Sequence, residues 1–515
     1  MATLSRPELP QALREAAGAA LATDDATLEL HAHDVFGEGA RPFGVFRPTS
    51  AEQLQRGIAA ATTEGIAIVP RGGGMSYTGG YLLDCPAMLV DTAGLDRIIA
   101  VDETDMTATV EAGCTWDALH RRLKPLGLRA KVWGTLSGLR ATVGGGMSQN
   151  GLFWGGRDGS LVDAALSFDV VLADGTLLTT GKPFFRPYGP DLTGLFAADC
   201  GALGVKARVT LRLVRDGPAF GYASFAFDEA AGFLVAMSAV AREGLAAESF
   251  GFDPFLQSQR MKRDTLASDA KSLVTMMKAQ KSVFSALKEG ARVVAAGRSF
   301  LEGASFSLHT VAEARNHASA DADIAAISAI AAQHGGRAVE NTIPKILRAN
   351  PFPPPNSMVG PNGERWVPVH GFLPHSKLAE AVAGIERVFA ANAAAMAEKS
   401  VESGAMFAAV SASACLIEPV FFWPDSLNPL HREAVEKSHL ARLGGFPEDR
   451  AARDIVTRLR EEIIAVFQKL GAAHLQVART YPLCAAHDPA GWALLKAVKH
   501  QLDPRGLMNP GVLGL

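Results

Sequence analysis

Cysteine is nearly absent: the 515 residues hold 5, Cys85, Cys114, Cys200, Cys415 and Cys484, with no CxxC pair among them. An odd, scattered set excludes a disulfide framework or a zinc ribbon and reads as buried thiols in a reducing cytoplasm. An excess of one charge is missing too. A formal net charge of −3 with no basic stripe excludes nucleic acid, or an anionic membrane, as the main partner. No apolar run is long enough to cross a bilayer, and residues 1–8 lack the cationic segment, apolar run and small-residue site of a signal peptide. What remains is a 48% hydrophobic, 20% charged chain, long enough to predict two domains of unequal role.

Glycine, by contrast, is plentiful at 51, and its placement is informative. Residues 43–46 predict a strand, Thr49-Ser50-Ala51-Glu52 has capping-box spacing, and Leu54, Ile58 and Ala61 share one helical face that Gly65 ends. A strand at 66–70 then runs into Arg71-Gly72-Gly73-Gly74-Met75-Ser76-Tyr77-Thr78-Gly79-Gly80. A Rossmann or P-loop glycine run must open a helix whose N-terminus receives phosphate. Here strands are expected next, at 88–91, 98–101 and 107–111, and a capped helix only at 115–125, so both motifs are excluded. A second glycine segment, 141–151, precedes a hairpin at 168–179 turning on Asp174-Gly175. A third, 188–196, leads through 201–205 into a strand at 207–213.

Past residue 218 a strand-helix rhythm sets in, with strands expected at 222–227, 249–252, 305–310, 366–373, 415–423 and 474–477. Helices are expected from 229, at 321–333, 376–394 and 450–470. This predicts an α+β layer, an antiparallel sheet with helices on one face. Residues 261–296 form a Lys- and Met-bearing helical region, read as a solvated surface helix, with a lid or a membrane-touching face as the alternatives.

Taken in order, Val69-Pro70-Arg71-Gly72-Gly73-Gly74, Ala141-Thr142-Val143-Gly144-Gly145, Val171-Leu172-Ala173-Asp174-Gly175, Gly189-Pro190-Asp191-Leu192, Gly201-Ala202-Leu203-Gly204-Val205 and the closing Met508-Asn509-Pro510-Gly511 form a set. The set resembles the vanillyl-alcohol oxidase and p-cresol methylhydroxylase (PCMH-type) family of FAD proteins, which also holds FAD-linked D-lactate and glycolate dehydrogenases. The resemblance implies an α+β fold with a two-lobed FAD-binding domain over 1–217, matching from about 40. It implies further a substrate-binding cap at 218–474 and a C-terminal segment, 475–515, that returns to the FAD-binding domain. A pyrophosphate held between lobes needs many backbone N–H donors at close approach, which only glycine permits. Gly72, Gly73, Gly74, Met75 and Ser76 are the expected cradle. By resemblance the cofactor contacts extend to Pro70, Arg71, Gly79, Thr135, Leu136, Thr142, Val143, Gly144, Gly145, Ser148, Gln149, Asn150, Gly204, Val205 and Asn509.

The departures are as telling. Met75 stands where many relatives tether the flavin through histidine, and 409–422 holds no histidine or tyrosine, so the FAD is expected to be noncovalent. The metal-binding words of the hydroxy-acid branch are missing: His370 and His375 lack the Gly-Asn core, and no metal is expected. Arg479 matches the arginine of the phenol-oxidising branch and is the expected anion clamp. Tyr481, two residues on in an extended segment, would share its side. His370 and Tyr481 are candidate bases, and Asp158 stands near the carboxylate expected beside the flavin. Glu418, a lone acid in an apolar strand, is a candidate acid-base group. Phe153, Trp154, Trp366, Phe421, Phe422 and Trp423 are candidates for an aryl-binding wall.

The expected chemistry is hydride transfer from an alcohol or benzylic carbon to flavin N5, with an aromatic or phenolic alcohol as substrate. A D-2-hydroxy acid dehydrogenase and an ether-lipid-synthase-like flavoenzyme stay open, as does a flavoprotein electron carrier. Oxygen, a quinone or a cytochrome as acceptor, and a homodimer, are left open as well.

Overall fold

The computed structural model describes residues 9–84, 87–263, 305–360 and 362–515. The N-terminal 1–8, Cys85 and all of the 261–296 region from 264 onward lie outside them. Three sheets carry the fold.

The first sheet orders Leu21–Ala22, Gly44–Phe46, Met88–Asp91 and Ile68–Arg71, the last three parallel. Its crossover helix, Ala51–Thr63, begins where the Ser50 side chain accepts the Gln53 N–H. Leu54, Ile58 and Ala61 are fully buried in one cluster with Phe46, Ile68, Met88 and Val90, and Gly65, at φ +76°, turns the chain back. Met508, from the C-terminal segment, pairs with Ile68 and fills the same cluster.

The second sheet is antiparallel: Ile98–Asp102, Thr107–Glu111, Val205–Arg215, Ala165–Val171 and Leu177–Thr179, with Leu128–Ala130 pairing the far end of Val205–Arg215. The Asp174-Gly175 hairpin forms as the sequence predicts, with Gly175 at φ +84°.

The third sheet has eight antiparallel strands, in the order Arg337–Val339, Ala219–Phe227, Phe306–Ala314, Glu248–Phe252, Glu402–Val410, Ala414–Trp423 and Arg365–Pro368, with Gly371–Pro374 also on Ala414–Trp423. Helices Ala230–Arg242, His317–Gln333, Leu378–Glu398 and Arg450–Lys469 pack on one face. The opposite face meets the second sheet. The pleat sorts the side chains: Cys415, Ile417, Phe421 and Trp423 go to the helix-side core, while Leu416, Val420 and Phe422 go to the core shared with the second sheet. Glu418, in the even register, therefore looks toward the glycine-bearing lobes.

Two expected strands differ. The strand expected at 366–373 is broken: Pro368 has no N–H to give, Val369 N–H donates to Pro419 O, and the His370 amide N–H donates to the Tyr481 hydroxyl. The segment 474–477 is no strand at all. After one bridge at Ala473, its backbone meets the His370 ring and Gln149 O, with Gln476 and Ala478 at φ +47° and +44°. Cys484 is exposed, where a buried thiol was expected, because it sits in the short surface helix Leu483–Ala486.

Candidate active site

The first glycine segment leaves strand Ile68–Arg71 as a loop of backbone donors. Among the described residues, none of the N–H groups of Gly72, Gly73, Gly74, Met75 and Ser76 donates to a protein acceptor. Five successive free donors in a folded interior need an anionic or strongly accepting partner. The loop lies against the second glycine segment so closely that a Cβ on Gly72 would collide with the Thr142 hydroxyl and one on Gly73 with the Arg140 carbonyl. Beside it opens a cavity of about 330 Å³ lined by Arg47, Arg71, Gly72, Gly73, Arg140 and Thr142. Arg71 is 7% exposed and its Nε has no partner. Asp91 balances this positive wall. Burial works to raise its carboxyl, but the His31 hydrogen bond and the Arg71 and Arg47 charges outweigh it and hold it at about 2. Free amide donors and arginines around a polar cavity fit the pyrophosphate of a dinucleotide.

The second segment is a different device. Thr142 caps the helix Val143–Gln149, accepting the Gly145 N–H, while Val143 and Gly144 N–H donate to Cys114 O and Ala112 O. These amides are spent, so Val143, Gly144 and Gly145 supply close packing rather than donors. Gly144 is small because Ala112 abuts it. Ser148 accepts from the buried Lys206 Nζ at 2.9 Å, and Asn150, at φ +51°, ends the helix and accepts the Val162 N–H. Thr135 and Leu136 lie in the neighbouring loop, where the Thr135 hydroxyl pairs with Ser137 at 3.0 Å. Gly204 and Val205 pack on Val170 and Val171 between the first two sheets. Asn509, expected at the cofactor, is wholly buried and committed elsewhere: its Nδ2 donates to Gly80 O and Cys200 O, bracing the loop from behind.

Close to Tyr77 of the loop, where the break between strands Arg365–Pro368 and Gly371–Pro374 meets the C-terminal segment, lies a side-chain cluster. The Tyr481 hydroxyl accepts the His370 amide N–H at 2.9 Å and lies 3.2 Å from His370 Nδ1. His370 Nε2 lies 2.9 Å from Leu475 O. With the proton on Nε2, donated to Leu475 O, Nδ1 is free to accept from Tyr481; the Leu475 N–H, 3.2 Å from Nε2, then goes without that acceptor. Glu418 Oε2 is 3.9 Å from Nδ1. Burial pushes His370 down to about 3 and lifts Tyr481 well above its ordinary value, so at neutral pH the pair is imidazole and phenol. His474 stacks on Tyr481 at 4.2 Å and donates from Nδ1 to His370 O, while Gln476 Nε2 donates to the Tyr77 hydroxyl. Trp366 meets the Tyr77 ring edge-on at 5.7 Å.

Of the expected catalytic residues, His370, Tyr481 and Glu418 come together, so Glu418 is not a lone acid. Arg479 does not join them. In the turn at 478–480 it diverges from Tyr481, and its guanidinium donates to Leu82 O, Pro510 O and Asn509 Oδ1 and pairs with Asp84 at 3.3 Å. It tethers the C-terminal segment to the glycine loop and is no anion clamp. Asp158 lies in the turn Gly156–Asp158 against the cap sheet, outside the cluster. Most of the expected aromatic wall is core: Trp154, Phe421 and Trp423 are fully buried, and Phe153 and Phe422 nearly so. Trp366 alone of that set borders the cluster. His375 takes separate partners, Ala412 O and Cys415 Sγ, so the two histidines share no ligand position. The sequence reading missed Tyr77, Gln476 and His474, of which only Tyr77, as the aromatic of the glycine loop, carries a local signal.

A glycine loop of free backbone donors beside an arginine-lined cavity suits a nucleotide's pyrophosphate. Residues 42–181 match the FAD binding domain family and 479–513 the C-terminal domain of FAD linked oxidases. The fold is similar to that of p-cresol methylhydroxylase with substrate bound, at a TM-score of 0.71 and 16% identity over 98% of this chain and 96% of that one. The chain thus carries, at 42–181 and 479–513, the FAD binding domain and the C-terminal domain of FAD linked oxidases. In sequence it is 29% identical over 175 residues to glycolate oxidase subunit GlcD of Bacillus subtilis (strain 168), 34% of this chain and 37% of that protein. It is 30% identical over 173 residues to a probable mitochondrial D-2-hydroxyglutarate dehydrogenase of Oryza sativa subsp. indica, 32% of this chain and 30% of that one. The match thus spans about a third of these curated relatives.

Proposed function

We propose that this protein is an FAD-dependent oxidoreductase that oxidises the CH–OH or benzylic carbon of an aromatic or phenolic alcohol, with its FAD held noncovalently by the lobes within 1–217 and 475–515 under the cap at 218–474. The observation that carries the reading is the His370–Tyr481–Glu418 cluster, formed where the break between strands Arg365–Pro368 and Gly371–Pro374 meets the C-terminal segment close to Tyr77 of the glycine loop. FAD supplies a two-electron hydride acceptor. The chain supplies the proton path: a substrate hydroxyl gives its proton to the Tyr481 oxygen as the Tyr481 proton passes to His370 Nδ1, and the Glu418 carboxylate steadies the imidazolium. Burial keeps the imidazole neutral and disfavours the imidazolium, so the Glu418 carboxylate 3.9 Å away has to offset that cost as the proton moves.

The Trp366 and Tyr77 rings beside the cluster suit an aryl group. Met75, with no nucleophilic nitrogen, supports dissociable FAD. The names of the sequence relatives favour a D-2-hydroxy acid instead, and one experiment separates the two. Under nitrogen, 4-hydroxybenzyl alcohol should bleach the flavin and D-lactate or glycolate should not; the reverse would overturn the aromatic reading. Tyr481→Phe should keep FAD and lower the rate of reduction about 10²-fold.

A further inference from the structure

Beyond the site, we propose that the loop at 182–192 docks on an anionic phospholipid surface. Four of the seven large apolar side chains that are strongly exposed among the described residues fall within it: Phe184 at 67%, Phe185 at 55%, Tyr188 at 67% and Leu192 at 48%. Such a cluster in water is costly unless it is used.

The loop is held in this pose by its own base. Arg186 turns inward, donating to Val162 O at 2.9 Å and pairing with Asp191 at 3.0 Å. Asp191 in turn caps the helix Leu192–Phe196, and the Thr180 and Thr193 hydroxyls close the neck at 2.8 Å. The polar groups are thereby satisfied below, and the aromatic rings stand above. Four large apolar side chains exposed within eleven residues suit a deformable lipid interface, which needs no complementary partner surface. Phe and Tyr are also the side chains that settle at the headgroup boundary. The charge agrees. Asp191 is neutralised by Arg186, and the exposed Lys182 carries its Nζ 5.5 Å from the Tyr188 ring centre, a cation at headgroup height. The net charge of −3 conceals this, because the feature is local. The loop begins where the matched FAD-binding domain ends, at residue 181.

The test uses the FAD-loaded full chain, sedimented with vesicles of phosphatidylcholine alone or mixed in equal parts with phosphatidylglycerol. The protein should pellet with the mixed vesicles. Phe184→Ser/Phe185→Ser should lower the bound fraction roughly tenfold, and Lys182→Glu should weaken binding to mixed vesicles roughly fivefold, while both variants keep their flavin spectrum. Parent protein that stays in the supernatant with both vesicles, or variants that bind as the parent does, would overturn the proposal. So would a concentration-dependent dimer that the double variant abolishes, which would assign the loop to a second copy of the chain.

Discussion

Gly73 has no room for a methyl group, since a Cβ would strike the Arg140 carbonyl, a backbone atom that cannot swing aside. Gly73→Ala should therefore part the two glycine segments and lose FAD, read as colourless protein after gel filtration; full retention of flavin would show that the loop does not hold it. Legibility at this scale was uneven for a physical reason. Unpaired backbone donors are announced by the glycines around them, so the free amides of 72–76 could be anticipated directly. A side-chain cluster such as His370, Tyr481, Glu418 and Gln476 exists only through tertiary contact, and nothing in the spacing of 370, 418 and 481 shows it. Arg479 misled because its neighbours look extended, whereas Gln476 and Ala478 adopt positive φ and swing it away from Tyr481.

Among the elements, caps and periodicity were the dependable signals: Thr115 and the Asp174-Gly175 turn work as their residue types predict, while the box expected over 49–52 falls one residue later, with Ser50 capping through the Gln53 N–H. What the chain does not show is which polar groups tie the elements together. Helix Thr342–Ala349 carries Arg348 into the seam between the second and third sheets, where it meets Glu248 at 3.1 Å, Asp216 at 3.3 Å and Glu313 at 3.8 Å under the Trp133 and Phe220 rings. Arg129 joins from the other side, 2.8 Å from Glu313. Removing one partner from so buried a set strands the others, so Arg348→Met should cost roughly 3–5 kcal/mol. A thermal melt unchanged by the substitution would show that the seam does not depend on it.

For the molecule as a whole, buried histidines set the acid limit. Burial depresses His370 and His431 to about 3 and His120 to about 4, from an ordinary 6.5. In the unfolded chain they protonate near 6.5, so below that pH the unfolded state binds more protons. The stability these histidines confer is then complete above about 6.5 and drains away as pH falls toward 3 to 4, by up to roughly 1.4 kcal/mol per pH unit for each group. A melting temperature that rises between pH 7 and pH 5 would contradict this.

The central claim is that the loop at 72–76 holds FAD without a covalent bond. The most direct measurement is the visible spectrum of the purified protein before and after acid precipitation. The account predicts flavin absorption in the native protein and yellow colour released to the supernatant; colour retained in the pellet, or a protein that stays colourless after incubation with FAD, would contradict it.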